Sequence, residues 1–152
     1  MAKYAANTSV SSELSRNQIE RTLIRYGANQ FAYATSADKA MIAFTMSGKQ
    51  VRFILPLPSK DDYKYTPTKK LRVPTSQQEA WEQACRQRWR ALDLVVKAKL
   101  EAVESGISIF EEEFLANIVL PNGQTVKDVV LPAVEQAYLD RCVSPIMFLL
   151  EG

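Results

Sequence analysis

One short stretch of the sequence combines the two types of side chain that hold a single nucleic-acid strand. In KDDYKYTPTKKLR (60–72), two tyrosines alternate with lysines. Because cations attract phosphates and aromatic rings stack on bases, this composition is typical of a surface for single-stranded DNA or RNA. A solvated loop without a ligand is the alternative, since Asp61 and Asp62 dilute the charge. The predicted nucleic-acid-binding residues are Arg52, Lys64, Tyr65, Lys69, Lys70, Arg72, Arg86 and Arg90.

A second feature is a pair of cations that face the predicted interior of a long helix. The stretch 81–106, WEQACRQRWRALDLVVKAKLEAVESG, is amphipathic at 100° per residue. Arg88 and Lys99 fall at one rotational position, inside the apolar arc. Because burying an unpaired charge is prohibitive, they extend to water, pair with the carboxylates at 111–113, or line a pocket for an anion. The apolar stripe consists of Trp81, Cys85, Leu92, Val96 and Val103, flanked by Ala84, Val95 and Trp89.

The opposite side of the same helix carries a ridge of cations. Arg86, Arg90 and Lys97 cluster there. Asp93 and Glu104 neutralise them in part. Such a ridge is usually a solvated face, but Arg86 and Arg90 could also extend the nucleic-acid surface.

The composition excludes several kinds of chemistry. The 152-residue chain has no histidine, so a histidine base, a catalytic triad or a histidine metal ligand is impossible. The cysteines, Cys85 and Cys142, lack CxxC spacing, and Cys85 falls on the apolar helix face, as expected for a core residue. The acids at 111–113 point about 100° apart and suit the first turn of a helix, so we interpret them as structural. We therefore predict no catalytic residue, no metal site, no cofactor and no enzymatic activity.

Charge and hydropathy indicate a cytoplasmic protein. The net charge of +2 is too small to predict nucleic-acid or membrane binding by itself. The sequence has no run of about 18 apolar residues, and its start, MAKYAANTSVSSELS, does not resemble a secretory signal. We expect no membrane partner.

Hydrophobic periodicity predicts an α+β fold in a single domain, 1–152. Its order is an N-terminal helix, a three-stranded antiparallel meander, a long amphipathic helix and two or three shorter helices. The strands are expected at 31–35, 40–46 and 50–57. Residues 59–75 follow them as an exposed basic loop. Residues 107–152 are expected to form a helical extension that packs on the core, including the apolar tail PIMFLL.

Helix ends are predicted from capping patterns. Three pairs have the spacing of a capping box, in which a serine starts the helix. These pairs are Ser15 with Gln18, Ser76 with Glu79, and Ser108 with Glu111. Gly27 and Gly106 are expected to follow helix ends, and Pro132 is expected to interrupt or restart the last helix.

Three long stretches carry a family resemblance: KYAANTSVSSELSRNQIERTLIRYGA, AMIAFTMSGKQVRFILPLP and WEQACRQRWRALDLVVKAKLEAVESGISIFEEEFLANIVLPNGQTV. Over about residues 3–127 the chain resembles a widespread family of small phage- and prophage-encoded proteins of no assigned activity. The resemblance implies an origin among phage replication and recombination genes, in the cytoplasm of a bacterial host. It carries over no functional residue.

The predicted order α-β-β-β-α is also that of double-stranded-RNA-binding domains. Those domains use a histidine-containing loop and a lysine-rich start to the second helix. This chain has no histidine, and its lysines precede Ser76. The similarity is therefore one of element order alone.

Two functions are consistent with these features. The first is a non-enzymatic accessory protein of phage DNA metabolism that binds single-stranded DNA or RNA. The alternative is an anti-defence or host-takeover protein, which binds and inhibits a bacterial protein such as a CRISPR effector, or sequesters a small anionic signal. In the alternative, Arg88 and Lys99 would line a pocket at the interface of a homodimer.

Overall fold

A computed structural model describes residues 8–141 and has the predicted α+β architecture. The segments with alternating apolar residues form strands, and the segments with helical periodicity form helices. The elements are α1 (Ser12–Arg25), β1 (Gln30–Thr35), β2 (Lys39–Met46), β3 (Lys49–Pro56), α2 (Pro74–Glu104), α3 (Phe110–Glu113) and α4 (Val126–Asp140). Single 3-10 turns form at Lys60–Tyr63 and Leu115–Asn117.

The three strands form the predicted antiparallel meander, in the order β1-β2-β3. Ser47 and Gly48 link β2 to β3, and both have positive φ angles, as a two-residue hairpin turn requires. Residues that pair directly across strands share one face of a sheet. Ile42 lies opposite Phe53, whereas Ala43 lies opposite Arg52, so Arg52 is on the face away from Phe53.

The core fills the space between one face of the sheet and the helices. Helices α1 and α2 lie side by side. Gln83 donates to Thr8 O near the start of both helices, and Tyr26 donates to Glu101 near their ends. The aromatic rings of Phe44, Phe53, Phe110 and Phe114 meet in tilted, stacked and edge-to-face contacts. The buried core also includes Ile19, Leu23, Ile42, Met46, Val51, Trp89, Leu92, Val96, Leu100 and Ile118.

All three predicted capping boxes are wrong. Helix α1 begins one turn earlier, with Ser11 Oγ accepting from Leu14 N (3.1 Å), so Ser15 lies buried within the helix. Helix α2 begins at Pro74, because proline suits the first helical position, and Ser76 lies inside its first turn. Ser108 donates to Glu113 Oε2 (2.9 Å) instead of capping α3.

A capping box does form at Thr125, with Asp128, and starts α4. The helix then continues through Pro132, so the predicted interruption is wrong. Proline has no backbone N–H and its ring crowds the carbonyl four residues earlier, so Pro132 removes one helical hydrogen bond without ending α4.

The predicted rotation of α2 is offset by roughly 50°. Its buried residues are Cys85, Trp89, Leu92, Asp93, Val96 and Leu100. The inward-facing charge is therefore Asp93, which is fully buried, and Arg88 is exposed. The prediction for Cys85 is confirmed, and burial raises the pKa of its thiol. Cys142 lies outside the described residues.

The C-terminal extension packs on the core only in part. Phe110, Phe114 and Ile118 are buried in the core, and Val51 forms a β-bridge with Ile118. Helix α4 buries no residue and packs chiefly against the turn Leu115–Asn117. The predicted packing of the tail at 145–150 lies outside the described residues. Among the residues that are described, no helix is both long and apolar enough to cross a membrane.

Candidate nucleic-acid interface

The basic loop, residues 59–75, has a defined backbone structure. After the turn Lys60–Tyr63, a bridge between Tyr65 and Leu71 closes a small hairpin. Thr66 N donates to Lys70 O (2.8 Å), and Lys69 N donates to Thr66 O (2.8 Å). These bonds fix the path of the loop backbone.

Side chains near the start of α2 hold the loop in place. Trp81 Nε1 donates to Pro58 O (2.7 Å), and Gln77 Nε2 donates to Lys60 O (2.8 Å). The ammonium of Lys60 lies 4.7 Å from the centre of the Trp81 ring, a cation–π contact. The loop and α2 therefore present one continuous surface.

Arg72 has a structural role in this loop. Its Nη1 donates to Tyr63 O (3.2 Å) and to Tyr65 O (3.1 Å). The guanidinium therefore holds the backbone at both tyrosines. That Arg72 also contacts nucleic acid stays a prediction.

An open groove lies between the basic loop and α2. Its volume is about 490 Å³. We call it the α2 groove; it is lined by Leu55, Tyr63, Ala84, Gln87, Arg88, Ala91, Leu92 and Val95. The walls are mainly apolar, Arg88 supplies a cation and Tyr63 supplies an aromatic ring. Exposed Lys64 and Tyr65 directly follow Tyr63 in the loop.

The predicted anion pocket of Arg88 and Lys99 does not form. Lys99 Nζ donates to Glu113 O (2.9 Å) and lies 3.4 Å from Glu113 Oε1. Of the three alternatives left open for these cations, pairing with an acid at 111–113 therefore holds for Lys99. Arg88 and Lys99 share a rotational position, but eleven residues of helix separate them by about 16 Å along the axis. They are too far apart to hold one small anion.

Arg86 and Arg90 lie on the other flank of α2, beside α1. Arg86 donates to Gln83 Oε1 through Nε (3.0 Å) and Nη2 (2.6 Å). Arg90 Nη1 donates to Asp93 Oδ2 (2.6 Å) and to Gln18 Oε1 (3.1 Å). These guanidiniums are held by protein groups, so the predicted extension of the nucleic-acid surface to Arg86 and Arg90 is not supported by their geometry.

Arg52 is also separated from the α2 groove. Alternation in β3 places it on the opposite face of the sheet from Leu55, and its Nη2 donates to Gly123 O (2.9 Å). Tyr33 pairs with Ile42 and so also lies on the face of the sheet opposite to Arg52. Tyr33 instead stacks under the guanidinium of Arg16 (4.4 Å) and beside Trp89 (5.7 Å).

The structure thus groups some predicted residues and separates others. The members that remain exposed in the basic loop are Lys64, Tyr65, Lys69 and Lys70. The loop has five cations and two acids, a net charge of +3, whereas the whole chain carries +2. The groove adds two residues to these. Arg88 was predicted in the anion pocket, and Tyr63 was not among the predicted nucleic-acid-binding residues. Their proximity depends on the docking of the loop against α2, for which the sequence has no local signal.

Acidic groups do not form a metal site in the part of the chain that the structure describes. Residues 8–141 contain no group of three or more cysteine, aspartate or glutamate side chains close enough to hold an ion. Glu111 is paired with Lys49 Nζ (3.3 Å). A hydrogen bond from its own backbone N–H, followed by the Lys49 contact, lowers the pKa of Glu111.

Comparison with known proteins does not assign the chain. No family model matches the sequence, and no curated protein or solved structure matches it significantly. A function is therefore proposed from the α2 groove and the basic loop alone.

Proposed function

We propose that the protein binds single-stranded nucleic acid in the α2 groove, as a non-enzymatic accessory protein of phage DNA metabolism. One observation carries the proposal: Arg88 and Tyr63 line the same open groove, and the exposed Lys64 directly follows Tyr63 in the basic loop. A single strand needs this combination of a phosphate-binding cation and a stacking surface.

The charge of Arg88 supports a role in binding. Its side chain is exposed, and among the described residues no carboxylate lies within ion-pair distance of its guanidinium. A guanidinium presents a planar set of donors that matches a phosphate. Arg88 thus remains available to a ligand, unlike Arg90 on the opposite flank.

The walls of the groove support the binding of unpaired bases. Tyr63 is half-buried at the edge of the loop, and Arg72 fixes its backbone. Leu55 and Val95 also line the groove, and Val95 is 46% exposed. A base can stack on an aromatic ring regardless of its identity, so this site favours a single strand without a strict sequence. A duplex hides these base faces.

Three lysines extend the surface beyond the groove. Lys64, Lys69 and Lys70 are exposed on the loop that forms one side of the groove. Lys69 adopts a left-handed backbone conformation (φ 67°), which turns the chain between Thr68 and Lys70. With Arg88 they give four cations for phosphates. The family resemblance to phage proteins among replication and recombination genes supports the biological setting.

The test is the affinity for fluorescein-labelled oligothymidylate, measured by fluorescence anisotropy. Four phosphate contacts predict a slope of about −3 in a plot of log affinity against log salt. Affinity should therefore fall about fifty-fold from about 50 to 200 mM salt. Duplex DNA of equal length should bind more weakly.

Two results would contradict the proposal. One is no binding at the lower salt concentration, and the other is an affinity that salt does not change. Recovery from host lysate of one stoichiometric protein partner, without nucleic acid, would favour the anti-defence alternative instead.

A further inference from the structure

The chain has two outward-facing apolar surfaces, and the residues that border them have opposite charge. The first, called the outer sheet face, consists of Ala32, Ala34, Met41 and Ile54, on the side of the sheet away from α1 and α2. The second, called the α4 stripe, consists of Leu131, Val134 and Tyr138. Neither surface shares a residue with the α2 groove.

The outer sheet face has the shape and charge to receive a helix. Ala32 and Ala34 are exposed, and such small side chains allow a close approach. A cleft of about 360 Å³ runs over Ala34, Met41 and Ile54 and is bordered by Lys39 and Arg52. No acid lines this cleft. Two acids lie nearby: Asp38 accepts a hydrogen bond from Ser36 Oγ (2.8 Å), and Asp128 of the same chain lies near Arg52.

The α4 stripe lacks a partner within the part of the chain that the structure describes. Leu131, Val134 and Tyr138 have helical spacing and are 53%, 40% and 83% exposed. Helix α4 has one lysine and three acids, a net charge of −2. Of these acids, Glu135 follows Leu131 by one turn and so borders the stripe. An apolar helix face of this kind with an acidic border is complementary to the outer sheet face.

We propose that two copies of the chain associate, each laying its α4 stripe on the outer sheet face of the other. Each chain carries both of these complementary surfaces. Two copies related by a two-fold axis therefore form the same contact twice. Within a chain, α4 starts near the sheet, where Arg52 binds Gly123 O, but packs chiefly against the turn Leu115–Asn117. Both α2 grooves stay open in such a dimer.

The native mass of the full-length protein, measured by size-exclusion chromatography with light scattering, tests the dimer. We expect a dimer for the wild type and a monomer for Leu131→Asp, with at least about a tenfold rise in the dissociation constant. Ile107→Asp is the matched control, because Ile107 is 82% exposed and lies on neither surface. A monomeric wild type, or equal effects of the two variants, would overturn the proposal.

A charge exchange tests the arrangement within the dimer. Lys39→Glu and Glu135→Lys each place like charges at both contacts and should weaken the dimer. In a mixture of the two variants, each heterodimer has one reversed contact and one wild-type contact, so dimerisation should recover. If mixing does not restore the mass, the two surfaces do not face each other and the proposed arrangement is wrong. Circular dichroism of each variant checks that the fold is intact.

Discussion

The two flanks of α2 both carry cations, but they use them differently. On the flank beside α1, Arg90 and Lys97 converge on the buried carboxylate of Asp93, at 2.6 and 3.3 Å. On the groove flank, Arg88 is exposed beside Tyr63. The comparison shows that a count of cations does not locate a binding surface. What distinguishes the flanks is whether the protein already supplies the anion.

Asp93 makes the α1 flank a structural junction. Its side chain is fully buried, and a buried carboxylate is tolerated only when it is paired and hydrogen-bonded. Oδ2 receives both cations, whereas Oδ1 and the buried Ser15 Oγ have no hydrogen-bond partner among the described residues. Since Arg90 also donates to Gln18 of α1, this network links the two helices.

The largest expected effect comes from breaking the α1 flank. Asp93→Ala should lower the free energy of unfolding by about 3 kcal/mol, because it removes the buried partner of two cations. Urea denaturation measures the loss. The matched control is Asp62→Ala in the exposed loop, which should change stability by less than about 0.5 kcal/mol. A loss under about 1 kcal/mol for Asp93→Ala would show that the network is dispensable.

The next largest effect concerns the groove flank alone. Tyr63→Leu keeps an apolar side chain but removes the stacking surface, so affinity for oligothymidylate should fall about tenfold. Stability should change little, which separates this flank from Asp93. Tyr26→Leu, at the end of α1 and outside the groove and both surfaces of the proposed dimer, is the control and should bind like the wild type. Equal affinities for all three proteins would exclude stacking on Tyr63.

A smaller effect is expected at the start of α4, away from both flanks. The Thr125 hydroxyl, and then its backbone N–H, lower the pKa of Asp128 below its ordinary value. A depressed folded-state pKa stabilises the protein above the unfolded pKa, and this stability is lost as the pH falls through the folded pKa. Asp128→Ala should therefore be less stable than the wild type near neutral pH, and the difference should shrink below about pH 4. Thermal unfolding against pH measures it; a pH-independent difference would contradict the linkage.

The elements of the fold could be predicted from the sequence because their signals are local. Alternation in KAMIAFTM and KQVRFILP, with Ser47 and Gly48 between them, is sufficient to define a hairpin. The helix starts were wrong because a serine three residues before an acid or amide is common inside helices too. In α1, the earlier Ser11 takes the capping position.

The candidate site could be predicted only in part, because it depends on long-range contacts. The exposed lysines and tyrosines of the loop are visible in its composition. Apolar residues alone predict a rotation of α2 that leaves Asp93 outside the core and Arg88 inside it. The burial of Asp93 depends on Arg90 and Lys97, and the exposure of Arg88 depends on how the loop docks through Trp81.

The most direct test of the account compares one cation from each flank. The salt dependence of oligothymidylate binding should be measured for Arg88→Ala, Arg86→Ala and the wild type. Removing Arg88 should make the slope of log affinity against log salt shallower by about 0.7, the share of one phosphate contact, and should weaken binding. Removing Arg86, which is bound to Gln83, should change neither quantity. The same loss in both variants, or a loss only for Arg86→Ala, would contradict the assignment of binding to the groove flank.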